Sequence, residues 1–164
     1  MSFLVGRLIL IGVITSLAAC ASIKSFEDNP ESQLTYRHSS FDLKFAWNTL
    51  QTGNDTVIEG LIINVRNIQV RDIDLNVTVL DTNGRVLSEG AVPPSQVNLR
   101  MNMNDSVPFS VKLKDAIIAK GNVLKFIIIY HTNDGSWYGH EWQSSFKVDA
   151  ATGVAVEEQR EKQK

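Results

Sequence analysis

The sequence predicts an all-β fold, a sandwich of about seven antiparallel strands. Three observations indicate this class. Apolar and polar residues alternate with period two through most of residues 41–148, and turn sequences rich in Gly, Asn and Asp separate the alternating stretches. β-branched residues dominate these stretches, and no 3.6-residue period persists. The chain of 164 residues is 43% hydrophobic, which suits one small domain.

The first two strands differ in how their apolar residues are arranged. The first shows a single apolar face before the turn at residues 52–55, made of Phe41, Leu43, Phe45 and Trp47. The second, residues 57–65, is apolar on both faces, with Leu61, Ile63 and Val65 on one and Ile58 and Ile62 on the other. A strand of this second kind is expected where both faces of the sheet are covered.

Three strands follow in the middle of the chain. Residues 73–80 alternate strictly and predict a strand with one buried face, after which Asp81-Thr82-Asn83-Gly84 turns the chain. The strand at residues 85–92 ends at Pro93-Pro94, because proline cannot donate a hydrogen bond to a sheet. Residues 107–113 form the third. A single helical turn is the most that residues 115–120 suggest.

The last two strands, residues 123–132 and 137–148, are predicted to form a hairpin. Asn133-Asp134-Gly135 suits a three-residue loop with glycine in the left-handed region. That loop predicts four cross-strand pairs that place large residues on one face. They are Tyr130 with Tyr138, Ile128 with His140, Phe126 with Trp142, and Leu124 with Ser144.

The strand pattern is typical of a sandwich of immunoglobulin or fibronectin III type. Within it, Ile58 to Asn64, the strand Ile73 to Leu80 and the run Asp81 to Leu87 resemble the G-x-V-x-N, strand, D-x-x-G-x-V layout of FxLYD-type bacterial immunoglobulin-like domains. The resemblance covers roughly Phe41 to Val148. It implies an accessory module of an exported bacterial protein, and it implies no catalytic residues.

Residues 1–19 have the plan of a secretory signal peptide, with Arg7, an apolar run at residues 8–17, and small residues before Cys20. The apolar run would span only about 15 Å as a helix, half of a bilayer core, so removal is favoured over a permanent membrane span. Leu17-Ala18-Ala19-Cys20 also resembles the lipobox of bacterial lipoproteins, in which the cysteine becomes the acylated first residue. The alternative is a free cysteine beside an ordinary cleavage site.

The lipobox resemblance implies a location. Two or three acyl chains on Cys20 would anchor the chain far more firmly than a single reversible one, so membrane lipid is the first expected partner. Ala21, rather than an aspartate, follows the cysteine, and in a double-membrane bacterium this implies the periplasmic side of the outer membrane.

The sequence therefore divides into four parts. Residues 1–19 are the signal peptide, 20–40 the lipidated cysteine with a polar tether, 41–149 the β-sandwich, and 150–164 a charged C-terminal tail.

The residue types give little indication of nucleic-acid binding, metal binding or catalysis. A net charge of −2 supplies no basic patch for nucleic acid. His38, His131 and His140 are the only histidines, and the predicted hairpin points His131 and His140 to opposite faces, so no metal site and no cofactor are expected. A G-x-S-x-G elbow is lacking, and Asp72 and Asp74 are interpreted as a solvated face rather than an acid–base pair.

One sheet face is more apolar than a solvated surface normally is. It carries Ile127, Ile129 and Trp137, with Ile58 and Ile62 as candidate neighbours. Either the tether or residues 114–120 cover it, or it docks a partner with Trp137 as the anchor. The sequence thus predicts a non-enzymatic binding or structural module of the cell envelope, whose partner is a protein or glycan. The alternative is a small hydrolase or ligand carrier with a site in loops 96–106 or 133–139. The oligomeric state is open.

Overall fold

Two four-stranded antiparallel sheets pack face to face in the computed structural model, which describes residues 30–93, 100–133 and 139–156. The first sheet has the strand order β1-β2-β3-β6, and the second β5-β4-β7-β8. The predicted β-sandwich is confirmed. Its elements are a 3-10 helix (Pro30–Gln33) and the strands β1 (Tyr36–Ser39), β2 (Leu43–Thr52), β3 (Asp55–Asn64), β4 (Gln69–Leu80), β5 (Val86–Ala91), β6 (Ser106–Leu113), β7 (Val123–Asn133) and β8 (His140–Asp149).

The core lies between the sheets and is built from the alternating positions of each strand, since successive strand residues point to opposite faces. Trp47 is fully buried at its centre, with the ring of Phe126 at 5.0 Å between centroids. The predicted inward faces of 73–80 and 123–132 are confirmed, and the strand predicted at 107–113 also buries alternate residues. Their buried members are Ile73, Leu75, Val77, Val79, Val107, Phe109, Val111, Leu113, Leu124, Phe126, Ile128 and Tyr130.

Glycine at position 60 is required by close packing in the first sheet. A Cβ there would overlap the carbonyl oxygen of Ala46 and approach Trp47 Cβ at 2.8 Å and Phe109 Cε1 at 2.9 Å. Gly60 pairs with Trp47 on one side and with Phe109 on the other. The missing side chain makes room for two large aromatic residues in neighbouring strands.

A buried polar contact joins the two sheets at one end. The Tyr130 hydroxyl donates to Asp42 Oδ2 at 2.6 Å, and the guanidinium of Arg66 lies 3.8 Å from the other carboxylate oxygen. Burial, followed by the hydrogen bond and charge of Asp42, raises the pKa of Tyr130 well above its usual value.

The residues that resemble the FxLYD layout have clear structural roles. Asn64 is buried, and its Nδ2 donates to the carbonyls of Ile68 and Met101. Asp81 closes the β4–β5 turn, because its carboxylate accepts the amides of Asn83 and Arg85. Both side chains fix a chain reversal through hydrogen bonds to backbone, a role typical of Asn and Asp.

The predicted tether, residues 20–40, extends too far. Within it, β1 pairs with β2 from Tyr36↔Trp47 to Ser39↔Lys44 and forms an edge of the first sheet. His38 stacks on Phe146 of the second sheet with centroids 3.8 Å apart. The prediction missed this strand because an edge strand is short and carries few apolar residues.

The predicted tail, residues 150–164, also begins too early. Ala155 forms an isolated bridge with Val148, and the amide of Val156 donates to Lys147 O at 2.8 Å. Residues 154–156 thereby cover part of the free edge of β8. The charged run of residues 157–164 lies outside the described residues.

The predicted hairpin register is wrong. Tyr130 pairs with Trp142, four residues beyond the predicted Tyr138, and Phe126 pairs with Phe146. Stacking of the Phe126 and Phe146 rings at 4.6 Å, inside the core, favours this longer loop over a tight turn. A shift by an even number of residues keeps every side chain on its face, so alternation alone did not exclude it.

Candidate functional site

The outer face of the first sheet carries a groove whose chemistry follows from strand register. Residues paired across β2, β3 and β6 form rows that cross the sheet. We call three of them the lysine row, the apolar row and the polar row. They are, respectively, Lys44–Ile63–Ser106, Ala46–Leu61–Pro108 and Asn48–Glu59–Ser110.

The outer groove has a volume of about 610 Å³ and lies across the apolar and polar rows. Its apolar side is formed by Leu61 and Pro108, and its polar side by Glu59 and Ser110. Glu59 and Pro108 are exposed, so the groove opens to solvent. Its complete lining is Leu34, Asn48, Glu59, Gly60, Leu61, Pro108, Phe109 and Ser110.

One wall of the outer groove comes from the stretch that was predicted to be a tether. The Thr35 amide donates to Asn48 Oδ1 at 2.8 Å and fixes Leu34 beside the polar row. Glu31 pairs with Lys44 at 2.5 Å and lies 3.7 Å from Arg37. Among the described residues, two cations thus face one carboxylate beside the groove.

Glu59 is the only charged side chain among the residues that line the groove. It is exposed and makes no ion pair or hydrogen bond within the described part of the chain. An unpaired carboxylate beside the apolar row suits a ligand that presents a cation next to an apolar group.

The outer face of the second sheet, where docking was predicted, has a different character. Ile127 and Ile129 are half-buried there. Each is flanked by polar residues in its own row, Asn76 and Ser145 for Ile127, and Asp74 and Gln143 for Ile129. Trp137, the predicted anchor, lies outside the described residues. Apolar side chains that are flanked by polar ones across the sheet are ordinary on protein surfaces.

Two residues predicted to be neighbours of that face are not there. Ile58 and Ile62 are fully buried and point into the core from the first sheet. The opposite set on the same strand, including Leu61 and Ile63, faces outward and is half-buried. The sequence showed that β3 is apolar on both faces, but it could not show which face belonged to the core.

The histidines do not converge. His38 stacks on Phe146, and burial lowers the pKa of its imidazole. His131 lies on the outer face between two carboxylates, with Nδ1 4.0 Å from Asp72 and Nε2 3.5 Å from Glu141. His140 pairs with Thr132, the position next to His131, and therefore faces the opposite side. Within the described residues no group of three His, Cys, Asp or Glu side chains could hold a metal ion.

A bulge in β4 shapes the surroundings of His131. The pairing of β4 with β7 is interrupted between Arg71 and Asp74, and Asp72 has a φ of 52°. Arg71 pairs with Asp72 at 3.2 Å. Asp72 and Asp74 are both exposed, as a solvated face requires.

Sequence reasoning also missed Trp142. It is 48% exposed at the end of the sandwich, and its Nε1 donates to Thr132 Oγ1 at 3.2 Å. The wrong hairpin register had paired Trp142 with Phe126 in the core, and the shift of four residues moves it to the open end.

The remaining predicted sites fall largely outside the described residues. Cys20 does so entirely, as do parts of the loops 96–106 and 133–139. In the described part of the first loop, Met101 is buried and bridges Val70, so this portion packs on the core. In residues 30–93, 100–133 and 139–156 no helix has the length and apolar character to cross a membrane.

Comparisons with known proteins give structural likeness only. No protein-family model matches the chain, and no curated protein matches it in sequence. Among solved structures, the GAE domain of GGA2p from Saccharomyces cerevisiae is similar over 67% of this chain and 94% of that one, with 15% identity and a TM-score of 0.46. The yeast GGA1 GAE domain is similar over 70% of this chain and 98% of that one, with 11% identity and a TM-score of 0.46. A β-glucuronidase of Bacteroides uniformis matches over 66% of this chain but 13% of its own, with 14% identity and a TM-score of 0.35.

Proposed function

We propose that the chain is a lipid-anchored, non-enzymatic binding module of the bacterial cell envelope. The observation that carries the anchor is the sequence Leu17-Ala18-Ala19-Cys20 directly after an apolar run. Acylation of Cys20, the only cysteine, consumes its thiol and attaches the mature chain to a membrane. Ala21 directs it to the periplasmic side of the outer membrane.

The binding surface is the outer groove. Its apolar and polar rows lie about 7 Å apart, the distance between alternate residues of an extended chain. A peptide segment that lies along the strands therefore places one side chain on each row. We propose an envelope protein, through an extended segment that carries a lysine or arginine close to an apolar residue, as the partner that Glu59 and Leu61 select.

The anchor is tested by replacing Cys20. We expect the Cys20→Ser variant to lose incorporation of labelled palmitate and to keep its unprocessed N-terminus, because the acylated residue is gone. Labelling, mass spectrometry of the N-terminus and membrane fractionation measure this, with Ser25→Ala as the control. Unchanged labelling and processing in Cys20→Ser would overturn the anchor.

The binding surface is tested with matched variants on the two outer faces. Leu61→Ser and Ile129→Ser each replace one half-buried apolar residue on a central strand. We expect crosslinked partners in intact cells to be lost in Leu61→Ser and kept in Ile129→Ser. The reverse result would move the binding surface to the second sheet, and identical partners in both would argue against either face.

A further inference from the structure

The outer face of the second sheet is charged at both ends and apolar between them. Its cross-strand pairs form four rows that cross β4, β7 and β8. The basic row and the acidic end are six residues apart along β7, which is about 20 Å. In order, the rows are Thr78–Lys125–Lys147, Asn76–Ile127–Ser145, Asp74–Ile129–Gln143 and Arg71–His131–Glu141, with Asp72 in the bulge beside the last.

The two ends carry opposite excess charge. In the basic row, the side chain of Lys125 makes no ion pair or hydrogen bond within the described part of the chain, and Lys147 lies directly opposite it. Two like charges opposite each other across a strand pair destabilise a sheet. At the acidic end, Arg71 pairs with Asp72 at 3.2 Å, which leaves the exposed Glu141 as an excess negative charge. Each end is therefore stabilised by the opposite charge of another molecule.

We propose that two copies of this chain pack these faces together about a twofold axis that runs across the strands between Ile127 and Ile129. Such an axis reverses the strand direction, so Ile127 of each copy meets Ile129 of the other. Lys125 and Lys147 of one copy both come near Glu141 of the second copy. Sheets packed face to face lie about 10 Å apart with strand directions within about 30°, a distance that lysine side chains can bridge.

Charge selects both this occupant and this axis. An axis along the strands would place the basic row of one copy on the basic row of the other, and the acidic ends would meet in the same way. A surface of one sign, such as an anionic membrane, would attract the basic row and repel the acidic end. A second copy turned end for end matches both ends at once, so the face is complementary to itself.

The relief of the face agrees with this axis. Beside the basic row, β4 and β5 form a hollow of about 300 Å³, lined by Asn76, Thr78, Glu89, Gly90 and Ala91. The axis places over it the β4 bulge of the second copy, where Asp72 has a φ of 52° and the pairing with β7 is interrupted. Arg71 of that bulge then comes near Glu89, which is exposed and makes no ion pair within the described residues.

The test uses a link that one chain cannot form. Within a chain, Lys125 and Lys147 are about 20 Å from Glu141 in the strand direction, too far for a carbodiimide to join amine and carboxylate. We expect carbodiimide treatment of an equal mixture of unlabelled and heavy-isotope-labelled full-length protein to give lysine–Glu141 amides between the two kinds of chain, identified by mass spectrometry. Cys20→Ser and Leu61→Ser should give the same amides, because neither the anchor nor the outer groove takes part.

Charge variants sharpen the result. We expect Lys125→Glu and Glu141→Lys each to weaken self-association at least about tenfold in sedimentation equilibrium, because each brings like charges together. An equal mixture of the two variants should recover dimers with one copy of each, since the altered side chains then have opposite charges. Glu59→Lys, the same substitution on the first sheet, should leave self-association unchanged.

The outcomes separate this surface from the outer groove. Ile129→Ser should lose the amides between copies and keep its crosslinks to the envelope partner proposed above. Wild-type protein that stays monomeric, single charge variants that associate as the wild type does, or a mixture that recovers no dimer would each overturn the proposal. Crosslinks in intact cells that join Glu141 only to other proteins would also overturn it, because the face would then have a different occupant.

Discussion

The two sheets have similar strands but different outer faces. In the first sheet, register places Leu61 beside Pro108 and Ala46, so apolar residues form a continuous row. In the second, Ile127 and Ile129 each lie in a row between polar residues. The difference shows that the number of outward apolar residues matters less than whether neighbouring strands place them side by side.

The largest expected effect tests the tight packing of the first sheet. We expect Gly60→Ala to lower the free energy of unfolding by about 3 kcal/mol, because the new Cβ overlaps Ala46 O and crowds Trp47. Gly53→Ala is the control, since the space around Gly53 is open and only its positive φ is strained. Its cost should be about 1 kcal/mol. Urea unfolding measures both, and equal losses would show that Gly60 is not closely packed.

The next effect concerns the contact between the sheets. Tyr130→Phe removes the hydroxyl that donates to buried Asp42, and we expect a loss of about 2 kcal/mol in unfolding free energy. The pKa of Tyr130 is raised in the folded state, so the folded protein holds this proton longer than the unfolded chain does. The contribution of Tyr130 to the free energy of unfolding should therefore be fully present below about pH 10. Above that pH it should fall by up to about 1.4 kcal/mol per pH unit.

We expect this loss of stability at high pH to depend on Tyr130. The Tyr130→Phe variant should lack this component, whereas Tyr36→Phe, which removes an exposed bond to Ala151 O, should keep it. A pH titration of urea unfolding measures the three proteins. An unchanged alkaline slope in Tyr130→Phe would contradict the assignment.

A smaller effect compares the outer faces directly. Leu61→Ser and Ile129→Ser should each cost on the order of 1 kcal/mol, since both side chains are only half-buried. Their stabilities should be alike, while only Leu61→Ser should lose its crosslinked partners. Thermal unfolding and crosslinking yield measure these two properties. A loss of crosslinked partners in Ile129→Ser as well would remove the distinction between the two faces.

The smallest expected effect on stability concerns His38, which stacks on Phe146 where the edges of the two sheets meet. Burial lowers the pKa of His38, so the unfolded chain binds its proton more readily than the folded protein does. We expect a slight loss of stability as the pH falls below about 6.5, and His38→Phe should keep the stack on Phe146 and lack this loss. Unfolding midpoints between pH 5 and 8 test this. A persistent acid-side loss in His38→Phe would assign it to other groups.

Much of the fold could be predicted from the sequence, because alternation directly reports which residues share a face. The inward positions of β4 and β7 and the turn at Asp81 were predicted in this way. The short edge strand β1 could not be, because Tyr36 to Ser39 show no apolar alternation and gain their strand structure by pairing with β2. The predicted register of β8 was wrong because a shift of four residues leaves every side chain on the same face of the sheet.

The candidate site was the least predictable part. The sequence by itself determined that β3 has two apolar faces and that Cys20 follows a lipobox-like run. Only the tertiary structure decided that Leu61, Pro108 and Leu34 come together, since they are far apart in sequence and meet through strand pairing and the return of the chain over the first sheet. Alternation fixes the direction of a side chain relative to its own strand, whereas a surface groove depends on the register between strands.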